Sequence, residues 1–135
     1  MSDTPPPPGL PPALGIRHVA LFVTDLEAAE RFWVDVMGYA VEWRPDPDNV
    51  YLCGHRDNLA LHRGTPEGAG RLDHIGIAVA EPDHVDAWAA HLQAHGVELK
   101  TRPKTHRDGS RSIYLYGPER LLIQIIHHVP ISAGP

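Results

Sequence analysis

The chain has 135 residues, the length of one domain or of two small fused modules sharing a core. Twelve Lys and Arg against 17 Asp and Glu give a net charge of −5 with no dense basic run, which argues against a nucleic-acid or anionic-membrane partner. Cys53 is the only cysteine, so no intrachain disulfide can form. No apolar run approaches the roughly 18 residues of a membrane span, and the opening residues lack the apolar stretch of a signal peptide. The expectation is a soluble cytoplasmic protein.

Residues 1–14 are proline-dense and read as an extended tail, and residues 131–135 read as a second, shorter one. Between them "HVALFVTDLEAAERFWVDVMGYAVEW" (18–43) lies over "HIGIAVAEPDHVDAWAAHLQAHGVEL" (74–99). Each reads as a strand, a helix of about three turns, a glycine stop and a short strand carrying a Val-Glu pair. In the first, Thr24 as N-cap with Glu27 three residues on makes a capping box, and Leu26, Ala29, Phe32, Trp33 and Val36 form one apolar stripe before Gly38. "VYLCG" (50–54) and "NLALH" (58–62) then supply two strands, and "GAG" (68–70) reads as a linker. In the second half Pro82 suits a first helical position, Val85, Trp88, Ala89 and Leu92 face inward, and Gly96 closes the helix. "IYLYG" (113–117) and "LIQII" (122–126) repeat the two late strands. The repeat predicts an α+β fold of two βαβββ modules, residues 15–66 and 71–130, within a single domain 15–130. Their strands form a curled mixed sheet around a central cavity, with the helices outside.

Strand alternation sets the direction of each side chain. Val19, Leu21 and Val23 share the helix face of the first strand, while His18, Ala20 and Phe22 share the other. Ile75, Ile77 and Val79 likewise face the helix, and His74, Gly76 and Ala78 look away. Small neighbours beside each histidine indicate a hollow, into which Leu122, Gln124 and Ile126 also point. A lone strand histidine is ordinarily a core residue. Two at equivalent repeat positions, both facing a hollow, are candidate metal ligands. Gln124 is the third corner, either a ligand through its amide oxygen or a pocket amide bonded to Tyr114. The position matching it in the first module is Ala60, which cannot ligate; His62, two residues on, could be a fourth ligand if the register allows. Tyr114, paired with Gln124, is the candidate proton donor. His106, on the polar loop "THRDGSRS", is a candidate acid or base, and Phe22, Tyr51, Cys53 and Tyr116 are candidate pocket-lining residues. His84, His91 and His95 read as a solvated stripe on the second helix, and His127 and His128 alternate faces.

"HVALFVTDLEAAERFWVDVMGY", "DHIGIAV" and "HRDGSRSIYLYGPERLLIQIIHH" resemble the vicinal oxygen chelate superfamily, which includes glyoxalase I, extradiol dioxygenases and fosfomycin- and bleomycin-resistance proteins. The resemblance spans about residues 15–130. It implies one divalent ion (Zn, Ni, Fe or Mn) held by His18, His74 and Gln124, a small-molecule substrate bound through two neighbouring oxygens, and a homodimer. It also implies glyoxalase-like lyase or isomerase, or dioxygenase-like, chemistry; the alternative is a non-catalytic drug-binding protein. Two departures stand out. Gln124 takes the place of a usual glutamate, and Gly117–Leu121 replaces the usual Asp-Pro-Asp-Gly-Asn turn.

Overall fold

The computed structural model describes residues 9–65, 70–117 and 120–133, so residues 1–8 of the expected leading tail, 66–69 of the expected linker region, 118–119 of the turn before the last strand, and 134–135 lie outside it. The first module runs β1 (Gly15–Val23), α1 (Leu26–Arg31), β2 (Ala40–Asp46), β3 (Asn49–Gly54) and β4 (Asp57–Arg63). The second runs β5 (Leu72–Ala78), α2 (Pro82–Ala94), β6 (Lys104–Thr105), β7 (Arg111–Tyr116) and β8 (Leu122–His127). All eight strands join one curled sheet in the order β2-β3-β4-β1-β5-β8-β7-β6. Each module's first strand lies parallel to its last, and the modules meet where β1 and β5 pair antiparallel. Among the described residues no helix is long and apolar enough to cross a membrane.

Each helix covers the outer sheet face of its own module, as the alternation requires. Leu26, Val50, Leu52, Leu59 and Leu61 form the first core, with Val19, Leu21, Val23, Ala29 and Trp33 packed against it. Val79, Val85, Ala89, Ile113, Leu115 and Ile125 form the second, with Ile77, Trp88, Leu92 and Ile123 around them. Pro82 opens α2, and Gly96, at φ +73°, ends it in the left-handed region that a side chain would resist.

Four local expectations change. The cap of α1 is Asp25, not Thr24: its carboxylate accepts from the Ala28 N–H at 3.0 Å, while Glu27 turns to Arg63 at 2.6 Å. A nearby guanidinium outcompetes a backbone N–H for the Glu27 charge. Helix α1 is also short, because Phe32–Val36 forms a π-turn closed by Met37 N–H to Phe32 C=O. The wider turn rotates Phe32 and Val36 out to 49% and 69% exposure, leaving buried Leu26 and partly buried Ala29 and Trp33 as the inward stripe. The short strand expected at 97–99 is only a bridge between Leu99 and Leu115, and β6 forms later, at two residues beyond Pro103, which has no N–H to give a ladder. The described parts of both tails are also anchored. Leu14 N–H bonds Ala78 C=O, the Trp88 indole donates to Pro12 C=O, and Ile131 is fully buried, with Arg17 bonded to its carbonyl and to that of Ala133.

The seam between modules is tight. His18 lies opposite Gly76 and Ala20 opposite His74. A Cβ on Gly76 would sit 2.6 Å from His18 Cβ, too close for the buried backbone to accept. Gly76→Ala is therefore expected to destabilise by about 1–3 kcal/mol through overpacking. Gly70→Ala, in open space, should stay within about 0.5 kcal/mol. Chemical denaturation of both variants measures the difference.

Candidate metal centre and cavity

Cross-strand register lays the inward side chains out in rows. One row runs Tyr114–Gln124–Gly76–His18–Asn58 across β7, β8, β5, β1 and β4. A second runs His74–Ala20–Ala60–Tyr51–Trp43. Between these rows the sheet curls around a cavity of about 580 Å³, lined by His18, His74, Gln124, Tyr114, Tyr51, His62 and His106 among others. The glycine and the two alanines are what leave it open.

His18 and His74 are 5% and 4% exposed, and their Nε2 atoms stand 2.8 Å apart. Each ring's other nitrogen is engaged: His18 Nδ1 donates to Asn58 Oδ1 at 2.7 Å, and His74 Nδ1 donates to the Asp73 carboxylate at 2.6 Å. In the neutral rings both Nε2 lone pairs then face the same point, which is repulsive unless a cation lies between them, and burial penalises the charge that a shared proton would bring. The 2.8 Å separation is close to the roughly 3 Å between neighbouring ligands of a six-coordinate ion with bonds of about 2.1 Å. A tetrahedral ion would want about 3.4 Å. Gln124 is 5% exposed, and its Oε1 has no hydrogen-bond partner among the described residues. Tyr114 lies opposite it in the β7–β8 register. Three buried, uncommitted lone-pair atoms therefore border the cavity, and they fit a divalent cation. Among the described residues no group of three His, Cys, Asp or Glu side chains is arranged to hold a metal.

The other predicted site residues divide. His62 lines the cavity wall, but it donates through Nδ1 to Asn49 Oδ1 at 2.6 Å and joins no three-histidine group. His106 also lines the cavity, with Nε2 2.8 Å from Ser112 Oγ, and burial lowers its pKa. Tyr114 stands edge-on to His74 at 5.2 Å, and burial pushes its hydroxyl up to about 12, so it stays protonated. Phe22, Cys53 and Tyr116 are not among the cavity-lining residues. Alternation assigns them the inner face, but each lies toward a strand end, beyond the hollow. There Phe22 packs near Gly64, Cys53 sits one residue before the turn, and Arg120 covers the Tyr116 ring at 4.1 Å.

Sequence reasoning missed Asn58, Glu42, His128 and Asp73. Asn58 shares the alternation of Ala60 and His62, and Asp73 adjoins His74, so both left a signal. Glu42 and His128 did not. They meet at 2.6 Å only because the edge strand β2 curls over to the chain following β8. Burial opposes the charge on His128, but the hydrogen bond and charge of Glu42 prevail, raising its pKa.

Against known proteins, the model of the Glyoxalase/Bleomycin resistance protein/Dioxygenase superfamily matches residues 15–125. The chain belongs to this superfamily. A manganese-dependent 2,3-dihydroxybiphenyl 1,2-dioxygenase from Geobacillus genomosp. 3 is 27% identical over 123 residues, 87% of this chain but 38% of that enzyme. The Mn(II)-bound glyoxalase from Novosphingobium aromaticivorans superposes with a TM-score of 0.71 at 23% identity, over 90% of this chain and 40% of its own. Methylmalonyl-CoA epimerase from Mycobacterium tuberculosis gives 0.65 at 19%, over 85% of this chain and 88% of its own. The chain thus spans well under half of the two longer relatives, and at these identities the superpositions show the superfamily fold. Expected in the sequence, that fold is the one the structure adopts.

Burial, then the charge of His74, lowers the His18 pKa from 6.5 to about 4. The unfolded ring takes its proton near 6.5, whereas the folded one does so only near 4. The stability His18 contributes is thus complete above about pH 6.5 and lost as pH falls toward 4. In metal-free protein the unfolding free energy of wild type relative to His18→Gln should fall by up to about 3 kcal/mol across that window. Denaturant titrations at stepped pH test it.

Proposed function

We propose that the protein is a divalent-metal-dependent enzyme acting on a small molecule that binds through two neighbouring oxygens. The observation that carries this reading is the trio of uncommitted buried atoms, His18 Nε2, His74 Nε2 and Gln124 Oε1. These three would hold the ion, whose contribution when bound is Lewis acidity toward the paired oxygens. The manganese named for the dioxygenase and the glyoxalase supports the same class of ion, with Zn, Ni and Fe as competitors.

The chain's own groups supply the rest. Tyr114, held protonated by burial, can donate its O–H to an oxygen gaining negative charge. His106, neutral through burial, can take or return a proton from its loop at the cavity wall. The cavity limits water around the reacting oxygens. Glyoxalase-like and dioxygenase-like reactions both draw on this arrangement, and substrate trials decide between them. The proposal includes a homodimer in the cytoplasm. Supporting it are the apolar Phe32, Val36 and Met37, exposed together beside the π-turn, and a composition with one cysteine. Sedimentation measures the mass.

A binding protein without catalysis is the second reading, favoured by one observation. The third donor is a neutral amide rather than a carboxylate, beside a Trp43–Tyr51 stack at 5.5 Å that suits a planar ligand. Metal-stripped protein incubated with Mn(II), Fe(II), Zn or Ni should retain about one ion per chain by elemental analysis. His18→Ala/His74→Ala should retain less than about a tenth of that, and Gln124→Ala should bind about 10–100-fold more weakly. Sub-stoichiometric metal in the wild type would overturn the enzyme reading; ligand binding that survives chelator and the double substitution would establish the second.

A further inference from the structure

We infer that Glu42 and Asn58 are positioning residues that lock His18 in the tautomer whose Nε2 lone pair faces the cavity. The inference deepens the proposal above, since that lone pair is the one assigned to the ion. Asn58 is 4% exposed and lies beside His18 in the parallel β1–β4 register. Its Oδ1 is 2.7 Å from His18 Nδ1, and its Nδ2 donates to Glu42 Oε2 at 3.0 Å. The other carboxylate oxygen, Oε1, lies 2.6 Å from His128 Nε2.

An asparagine amide has one donating end and one accepting end, and flipping it costs little unless a neighbour can tell them apart. Glu42 makes that distinction. A carboxylate only accepts, so the amide N–H₂ must turn toward it, and the carbonyl must then face His18. A ring nitrogen facing a carbonyl has to donate, so the His18 proton sits on Nδ1 and the lone pair on Nε2. With the amide reversed, its N–H₂ would demand a lone pair at Nδ1. The proton would move to Nε2, which is 2.8 Å from His74 Nε2, and would block the cavity side of the ring. His74 needs no such intermediary, because Asp73 contacts its Nδ1 directly. The two histidines are thus oriented by different means: one by an adjacent carboxylate, the other by a carboxylate acting through a neutral amide. His128, on the far side of Glu42, holds that carboxylate in place.

The test reads the tautomer directly. Long-range ¹H–¹⁵N correlation spectra of the full-length, metal-free, ¹⁵N-labelled protein above pH 7 should show His18 protonated at Nδ1. Glu42→Ala and Asn58→Ala should move His18 toward the Nε2-protonated form and weaken manganese binding about 10–100-fold. Glu42→Gln, which can still accept from Asn58, should restore the wild-type tautomer. His74 should keep its proton on Nδ1, against Asp73, in all three, and circular dichroism identifies the variants that fold. If His18 keeps its proton on Nδ1 in a folded Glu42→Ala or Asn58→Ala protein, the inference is wrong. Asn58→Ala leaves the Glu42–His128 pair intact, so it carries the test where Glu42→Ala does not fold. If the tautomer responds as stated while the wild type binds no manganese, the positioning role stands and the ligand reading of His18 fails.

Discussion

Two imidazoles meet Nε2 to Nε2 at 2.8 Å in the middle of the β1–β5 seam, and much of the surrounding structure follows from keeping them there. Neutral rings in that arrangement repel through their lone pairs, so each must be held from behind, by Asn58 in one case and Asp73 in the other. Each also needs room. His18 has it because its cross-strand partner is Gly76, and His74 because its partner is Ala20. Cores do not tolerate the methyl group that Gly76 lacks when the next atom is 2.6 Å away. Packing, tautomer and vacant donor atoms are therefore one problem, solved on two adjacent strands.

The curled sheet separates stability from chemistry. The outer face carries Leu, Ile and Val against the helices, one core to each module, and the inner face carries the polar set. The modules are not chemically equivalent. Gln124 supplies a free carbonyl where its counterpart Ala60 supplies only space, and register confirms that correspondence, since Ala60 pairs with Ala20 as Gln124 pairs with Gly76. The second module's edge is also interrupted. Where a longer β6 would have run, the chain from Lys104 to Ser110 forms a polar wall that includes His106. Membership of the superfamily accounts for the shared architecture, whereas these asymmetries belong to this chain.

The internal repeat and the alternation of side chains are legible in the sequence, and both concern local periodicity. They identified the two modules, the helix and cavity faces of the strands, and the pair His18 and His74 as inward neighbours. Alternation was less informative about distance along a strand. Phe22, Cys53 and Tyr116 lie on the inner-facing parity yet stand outside the cavity, because the hollow occupies only the middle of each strand. Competition between local bonds was equally hidden. A capping box at Thr24 was a sound local reading until Arg63, 36 residues away from Glu27, offered that carboxylate a charged partner. The π-turn at Phe32–Val36 likewise rotated two members of an apolar stripe that simple helical spacing had placed inside.

The sequence by itself determined the α+β architecture, the duplication and the two histidines, because strand and helix periods repeat locally and need no knowledge of distant residues. Only the tertiary structure decided what holds those histidines in place. The chain His18–Asn58–Glu42–His128 joins four separate segments, and its links exist because the sheet curls far enough to bring an edge strand to the end of β8. No periodicity in one dimension encodes that closure. It depends on the summed twist of eight strands and on hydrogen bonds made across it.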